Sequence, residues 1–193
     1  MSEAPLKPIP SIEIVTDRLV LRPMCEADIA VTVETLGNLE VSSRLARVPH
    51  PYTESDARWW LEETRRGRAR GLSEHFMLVP RTGGAAIGAI GLHGDDGGRR
   101  AEVGYWIVQT QWSRGYAREA LAALVRHAFS TRSPTISILE AKVHESNPAS
   151  IRVLEACGFL DVDAVVCTSL ATGTNSSARR FELRREGFEF TGS

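Results

Sequence analysis

Apolar and polar residues alternate along this chain with two periods, and the period changes at recognisable punctuation. The clearest change lies within residues 101–129. Ala101, Val103, Tyr105 and Ile107 alternate with Glu102, Gly104, Trp106 and Val108, which is the period of a strand. From Ala120 onward, Leu121, Leu124, Val125 and Ala128 recur on one face of a helix. Residues 111–117 form the tight turn between the two. Elsewhere the pattern predicts strands over residues 18–22, 75–79, 85–92, 136–143, 159–169 and 178–185. It predicts helices over 27–36 (Ile29, Val33 and Leu36 on one side) and from Thr53 (Ala57, Trp60, Leu61 and Thr64 sharing a face). A third helix follows Asn147, a good N-cap with Pro148 at the first helical position, and ends at Gly158 as a C′ residue. Arg81-Thr82-Gly83-Gly84 is a hairpin signal, residues 94–98 make a second turn, and the proline-rich residues 1–11 read as a mobile lead-in. The sum is one α/β domain over 1–193, a mixed sheet with helices on both faces.

The turn at residues 111–117 is where chemistry first enters. A helix start exposes unpaired N–H groups at the positive end of the macrodipole, a physical basis for holding a phosphate or pyrophosphate. Gly115, with no Cβ, lets an anion approach the backbone. The same features also fit an ordinary strand–turn–helix unit. No GxxxxGK[ST] or GxGxxG pattern occurs, which weighs against a nucleotide-binding fold.

Segments in three places carry a family resemblance. Arg114-Gly115-Tyr116-Ala117, between strand and helix, resembles the acyl-CoA pyrophosphate loop of the GNAT superfamily of N-acetyltransferases, usually Gln/Arg-x-x-Gly-x-Gly/Ala. Gly115 and Ala117 fit, whereas Trp112 stands at the first position and Gln111 lies one residue early. That departure is similar to the branch that acetylates ribosomal-protein N-termini, which Thr16-Asp17-Arg18-Leu19-Val20-Leu21-Arg22-Pro23 also resembles. The segment from Asn147-Pro148-Ala149-Ser150 to Gly158-Phe159 falls where the family places its next cofactor-contacting helix.

The resemblance implies a mostly antiparallel, twisted sheet of six to seven strands and acetyl-CoA as acyl donor, with CoA as product. It places the pyrophosphate on backbone N–H groups of Ser113, Arg114, Gly115, Tyr116 and Ala117, and the pantetheine arm along Ile107 and Val108. Asn147 would hydrogen-bond that arm, and Ser150 would protonate the departing thiolate, with Tyr105 and Tyr116 as alternative hydroxyls. A backbone N–H at the strand's end could steady the thioester oxygen, a contribution of roughly 3–4 kcal/mol for a well-placed donor. Glu102 is the first choice of general base, with His144, Glu145 or a water-relayed group behind it. The acceptor is a primary amine. A peptide or protein α-amine comes first, and a small amine (antibiotics included) or a silent acyl-CoA-binding module remains as an alternative.

Composition narrows the setting. A formal net charge of −1 gives no global attraction to nucleic acid or an anionic membrane, and no apolar run is long enough to span one. Three cysteines, Cys25, Cys157 and Cys167, cannot all pair, so a reducing cytoplasm is the economical compartment. Cys157 lies on an apolar helix face and reads as a structural thiol, which favours direct transfer without an acyl-enzyme. His93 beside Asp95 and Asp96 makes no convincing metal site, and none is expected. Arg65, Arg66, Arg68 and Arg70 read as a solvated helix terminus rather than a phosphate patch. Trp59, Trp60 and Trp112 read as core before they read as an acceptor pocket. A monomer or a homodimer is expected.

Overall fold

In the computed structural model, which describes residues 12–94, 98–132 and 136–188, the strands hydrogen-bond into one sheet. The strands are β1 (Ile14–Val15), β2 (Leu19–Arg22), β3 (Ser73–Pro80), β4 (Gly88–Gly94), β5 (Arg100–Ile107), β6 (Ile138–His144), β7 (Leu160–Thr168) and β8 (Asn175–Arg184). Their order is β1-β2-β3-β4-β5-β6-β8-β7, and every adjacent pair is antiparallel except β5–β6. Seven of these match expected strands. The eighth, β1, is a two-residue edge strand, too short to show a period.

The pleat sorts side chains to two cores. Leu19, Leu21, Phe76, Leu78, Ile90, Leu92, Ala101, Val103 and Ile107 meet α4 (Tyr116–His127) and Leu154 of α5 (Pro148–Ala156) on one face. Met77, Ala89 and Trp106 meet α1 (Ile29–Gly37) and α3 (Glu54–Ala69) on the other. Between α1 and α3 lies a one-turn helix, α2 (Leu39–Ser42), which no sequence period announces.

Local signals place the helix ends. Thr53 caps α3, with the Asp56 carboxylate returning to its N–H at 2.8 Å, so an aspartate completes the capping box. Asn147 accepts from the Ser150 N–H at 3.2 Å, and Gly158 leaves α5 at φ +85°. β4 starts later than the alternation suggests, because Gly83 and Gly84 both take positive φ and the turn uses more chain. The basic end of α3 is taken up by neighbours: Arg65 pairs with Glu62, Arg66 with Glu63, and Arg68 donates to the His75 carbonyl. The expected lead-in over 1–11 and the turn at 95–97, with Asp95 and Asp96, lie outside the described residues.

Candidate active site

The parallel pairing of β5 with β6 covers only Arg100↔Ile138, Ala101↔Leu139 and Glu102↔Glu140. Both strands continue, β5 to Ile107 and β6 to His144, without pairing to each other, so a gap opens between them. Which backbone groups face it follows from the alternation of an antiparallel ladder. Val108 donates its N–H to the Ile87 carbonyl at 2.9 Å, so the even residues of β5 point toward β4. Val103, Tyr105 and Ile107 then turn their N–H groups toward the gap. The Ile107 carbonyl accepts the Trp112 indole N–H at 2.7 Å. The expectation that Ile107 and Val108 together face an extended arm is therefore revised. Ile107 offers its N–H, whereas Val108 has its N–H on Ile87 and its carbonyl on the Gln111 N–H at 2.8 Å.

At the end of β5 the chain passes through Ser113 (φ +61°) and Gly115 (φ +81°) into α4. Gly115 is the N-cap, and no side chain caps the helix. Among the described residues, the N–H groups of Ser113, Arg114, Gly115, Tyr116, Ala117 and Arg118 make no hydrogen bond. A row of free donors on the positive end of a twelve-residue helix is a cradle for an anion. A Cβ at Gly115 would be strained at this φ and would approach Arg18 Nη2 to 3.4 Å. The turn therefore fits the pyrophosphate of acetyl-CoA.

Across the gap, α5 presents Asn147 and Ser150. The Asn147 carbonyl oxygen is committed to capping, so its amide NH₂ remains as the free donor. The Ser150 hydroxyl lies 2.7 Å from the Tyr105 hydroxyl, so two residues named separately in the sequence form one pair. Burial pushes the Tyr105 phenol up to about 12, against a smaller lowering by the Ser150 hydrogen bond. Tyr116, at the first turn of α4, lies under the Arg18 guanidinium, 4.6 Å from ring centroid to Cζ. Burial also raises the Cys157 thiol to about 11, in keeping with a structural thiol rather than a nucleophile.

Glu102 lies on the opposite face of β5 from Tyr105, on the side of α1 and α3. Each of its oxygens is engaged, one by Arg47 Nη2 at 2.9 Å and the other by Lys142 Nζ at 2.9 Å. Lys142 is held above its ordinary pKa, chiefly by the Glu102 hydrogen bond. His144, at the end of β6, is 8% exposed and has Nδ1 hydrogen-bonded to the Ser176 hydroxyl. Glu145 is exposed, with its N–H on the Ser177 carbonyl. Trp112 packs against both cores under Arg44, Trp60 meets His75 edge to face, and Trp59 is exposed. Sequence reading missed the cations on Glu102, because Arg47 and Lys142 are 55 and 40 residues away from it.

Residues 18–160 match the family model described as an acetyltransferase (GNAT) domain. An uncharacterised N-acetyltransferase of Bacillus licheniformis, p20, is 30% identical over 146 residues, which span 75% of this chain and 80% of that protein. Solved structures share the fold at lower identity. RimL, a ribosomal L7/L12 α-N-protein acetyltransferase in complex with CoA, superposes with a TM-score of 0.77 at 16% identity, covering 90% of this chain and 98% of that one. A spermidine N-acetyltransferase from Vibrio cholerae, in complex with CoA and spermine, gives 0.74 at 18% identity, over 89% of this chain and 98% of that one. No helix among the described residues is long and apolar enough to cross a membrane. The family match spans most of the chain and takes in the gap and the loop of free N–H groups, and so the chain belongs to the GNAT acetyltransferases, acetyl-CoA-dependent acyltransferases.

Proposed function

We propose that this enzyme acetylates the α-amine of a peptide or protein N-terminus. The observation that carries the reading is the pairing of Glu102 with two cations, Arg47 and Lys142, on the face of β5 that carries α1 and α3. With one oxygen on each cation, Glu102 can accept the proton of an amine only by giving up one of those contacts. An α-amine near pKa 8 loses its proton at pH 7 for about 1 kcal/mol, whereas a lysine near 10.4 requires about 4–5 kcal/mol. A carboxylate with both oxygens already engaged therefore suits the first acceptor better than the second. The same cations disfavour a polyamine, which would bring several positive charges to them. A small-molecule amine is the second reading, since the fold is shared with a spermidine acetyltransferase.

Acetyl-CoA, when bound, supplies the acyl thioester. The loop from Ser113 to Ala117 would hold its pyrophosphate, and Asn147 and the Ile107 N–H would orient the arm. Glu102, directly or through water, takes the proton of the amine, with His144 as the other candidate. Tyr105 and Ser150 donate hydrogen bonds toward the sulfur position. Full proton transfer from a phenol at about 12 to a thiolate of ordinary pKa 8.5 would run uphill by about 5 kcal/mol. Ser150 and Tyr105 therefore act by steadying developing charge, and the departed thiolate takes its proton from solvent. The free thiols Cys25, Cys157 and Cys167 support a reducing, cytoplasmic setting.

The test is thiol release from acetyl-CoA against matched acceptors: free and blocked α-amine peptides, a lysine-only peptide, spermidine and an aminoglycoside. Turnover confined to free α-amines is expected. Preferred turnover on spermidine, the aminoglycoside or lysine would replace the α-amine reading with the corresponding one.

A further inference from the structure

The segment from Thr16 to Leu19 has no part in the chemistry above, yet its polar groups converge on the cofactor loop. Arg18 Nε meets Glu119 Oε2 at 2.6 Å, and Arg18 Nη1 donates to the Arg114 carbonyl at 2.9 Å. The Arg18 N–H and the Thr16 hydroxyl both donate to Glu119 Oε1, at 2.8 and 2.6 Å. The guanidinium covers the Tyr116 ring, and its Nη2 faces the open side of Gly115. The segment is itself anchored. Leu19 is fully buried, the Thr16 hydroxyl accepts the Leu19 N–H at 3.0 Å, and the Arg18 carbonyl accepts the Arg81 N–H at 2.9 Å.

We infer that Thr16, Arg18 and Glu119 form a latch that fixes the pyrophosphate loop in its anion-accepting shape, with Arg18 as a positioning residue. The inference rests on the cofactor reading of that loop. Two physical points carry it. Across a trans peptide the C=O and N–H point in opposite directions, so fixing the Arg114 carbonyl on Arg18 aims the Gly115 N–H away from Arg18. Second, Glu119 places a negative charge in the first turn of α4, beside the proposed anion site. Arg18 neutralises that charge and turns it toward the segment between β1 and β2. A half-exposed ion pair contributes little to stability by itself, and Arg18 is 48% exposed. Of the five contacts, two reach the loop at Arg114 and Tyr116 and three reach Glu119 in the first turn of α4, a convergence explained by geometry rather than by stability.

Calorimetric titration of CoA and 3′-dephospho-CoA into wild type, Arg18→Met, Arg18→Lys and Glu119→Gln tests the latch, with thermal unfolding as the control for folding. Arg18→Met should weaken both ligands by at least about tenfold and by the same factor. Arg18→Lys should recover less than half of that loss in binding free energy, because an ammonium cannot reproduce the fork between Arg114 and Glu119. Glu119→Gln keeps a carbonyl acceptor for Thr16 and the Arg18 N–H but loses the Arg18 Nε contact, and should weaken both ligands by the same factor, though by less than Arg18→Met, which also frees the Arg114 carbonyl. A loss confined to CoA would make Arg18 a ligand of the 3′-phosphate and overturn the latch. Full recovery by lysine would reduce Arg18 to a charge, and unchanged affinity in Arg18→Met in a folded protein would leave it no role. A wild type that binds neither ligand would overturn the cofactor reading of the loop, and the latch with it.

Discussion

At neutral pH the Tyr105 phenol keeps its proton, because burial raises its pKa to about 12. Its hydroxyl and that of Ser150 share one hydrogen bond and so act as a unit. Ser150→Ala and Tyr105→Phe should each lower kcat by about 10–100-fold while leaving the calorimetric affinity for acetyl-CoA within about twofold. The double variant should lose little more than either single one. Additive losses would mean that the two hydroxyls serve different steps. Sequence reading brought both tyrosines and Ser150 to the page but could not choose among them, because a contact between residues 105 and 150 depends on how α5 packs against the sheet. Val108 shows the complementary limit: its place in the alternation was legible, while the commitment of its N–H depended on which neighbour β5 pairs with.

Among the elements, the strand–turn–helix from β5 to α4 and the capped helix α5 were readable because their signals are local. Asn147, Pro148 and Gly158 each impose a backbone preference within a few residues, and the structure carries all three out. The gap between β5 and β6 was not readable. It depends on where a parallel pairing ends, and no residue in either strand marks Glu102↔Glu140 as the last pair. The loop also makes the sharpest demand on one residue. In Gly115→Ala the left-handed φ costs roughly 1–2 kcal/mol, and the new methyl lies against Arg18. The variant should melt a few degrees lower and bind CoA more than about tenfold weaker. Unchanged CoA affinity would mean that the loop's N–H groups are not the grip.

For the molecule as a whole, carboxylates tie its layers together. Asp28, joined to Arg22, fastens α1 to β2; Glu119, joined to Arg18, fastens α4 to the turn between β1 and β2; and Glu182, joined to Arg100, links β8 to β5. Burial raises the pKa of Asp28 and of Glu119, but hydrogen bonds from Arg22 and Cys25 in one case, and from Thr16 and Arg18 in the other, outweigh it and bring both below the usual carboxylate value. The hydrogen bond from Arg100 depresses Glu182. A folded pKa below the unfolded one contributes stability that is present above the unfolded value and lost as pH falls through the folded value. The melting temperature should therefore hold from neutrality to about pH 5 and fall steeply below about pH 4. Asp28→Asn should be less stable at pH 7 and flatten that acid limb, and an unchanged limb would show that Asp28 does not link folding to protons.

Trp112 has a further consequence. Its indole N–H is held by the Ile107 carbonyl at the end of the gap, its ring touches both cores, and Arg44 lies 5.3 Å from it. An indole in that position senses the polarity and hydration of the cleft through its excited state. Occupancy of the gap is thus written into the intrinsic ultraviolet emission of the protein, and the enzyme carries its own label.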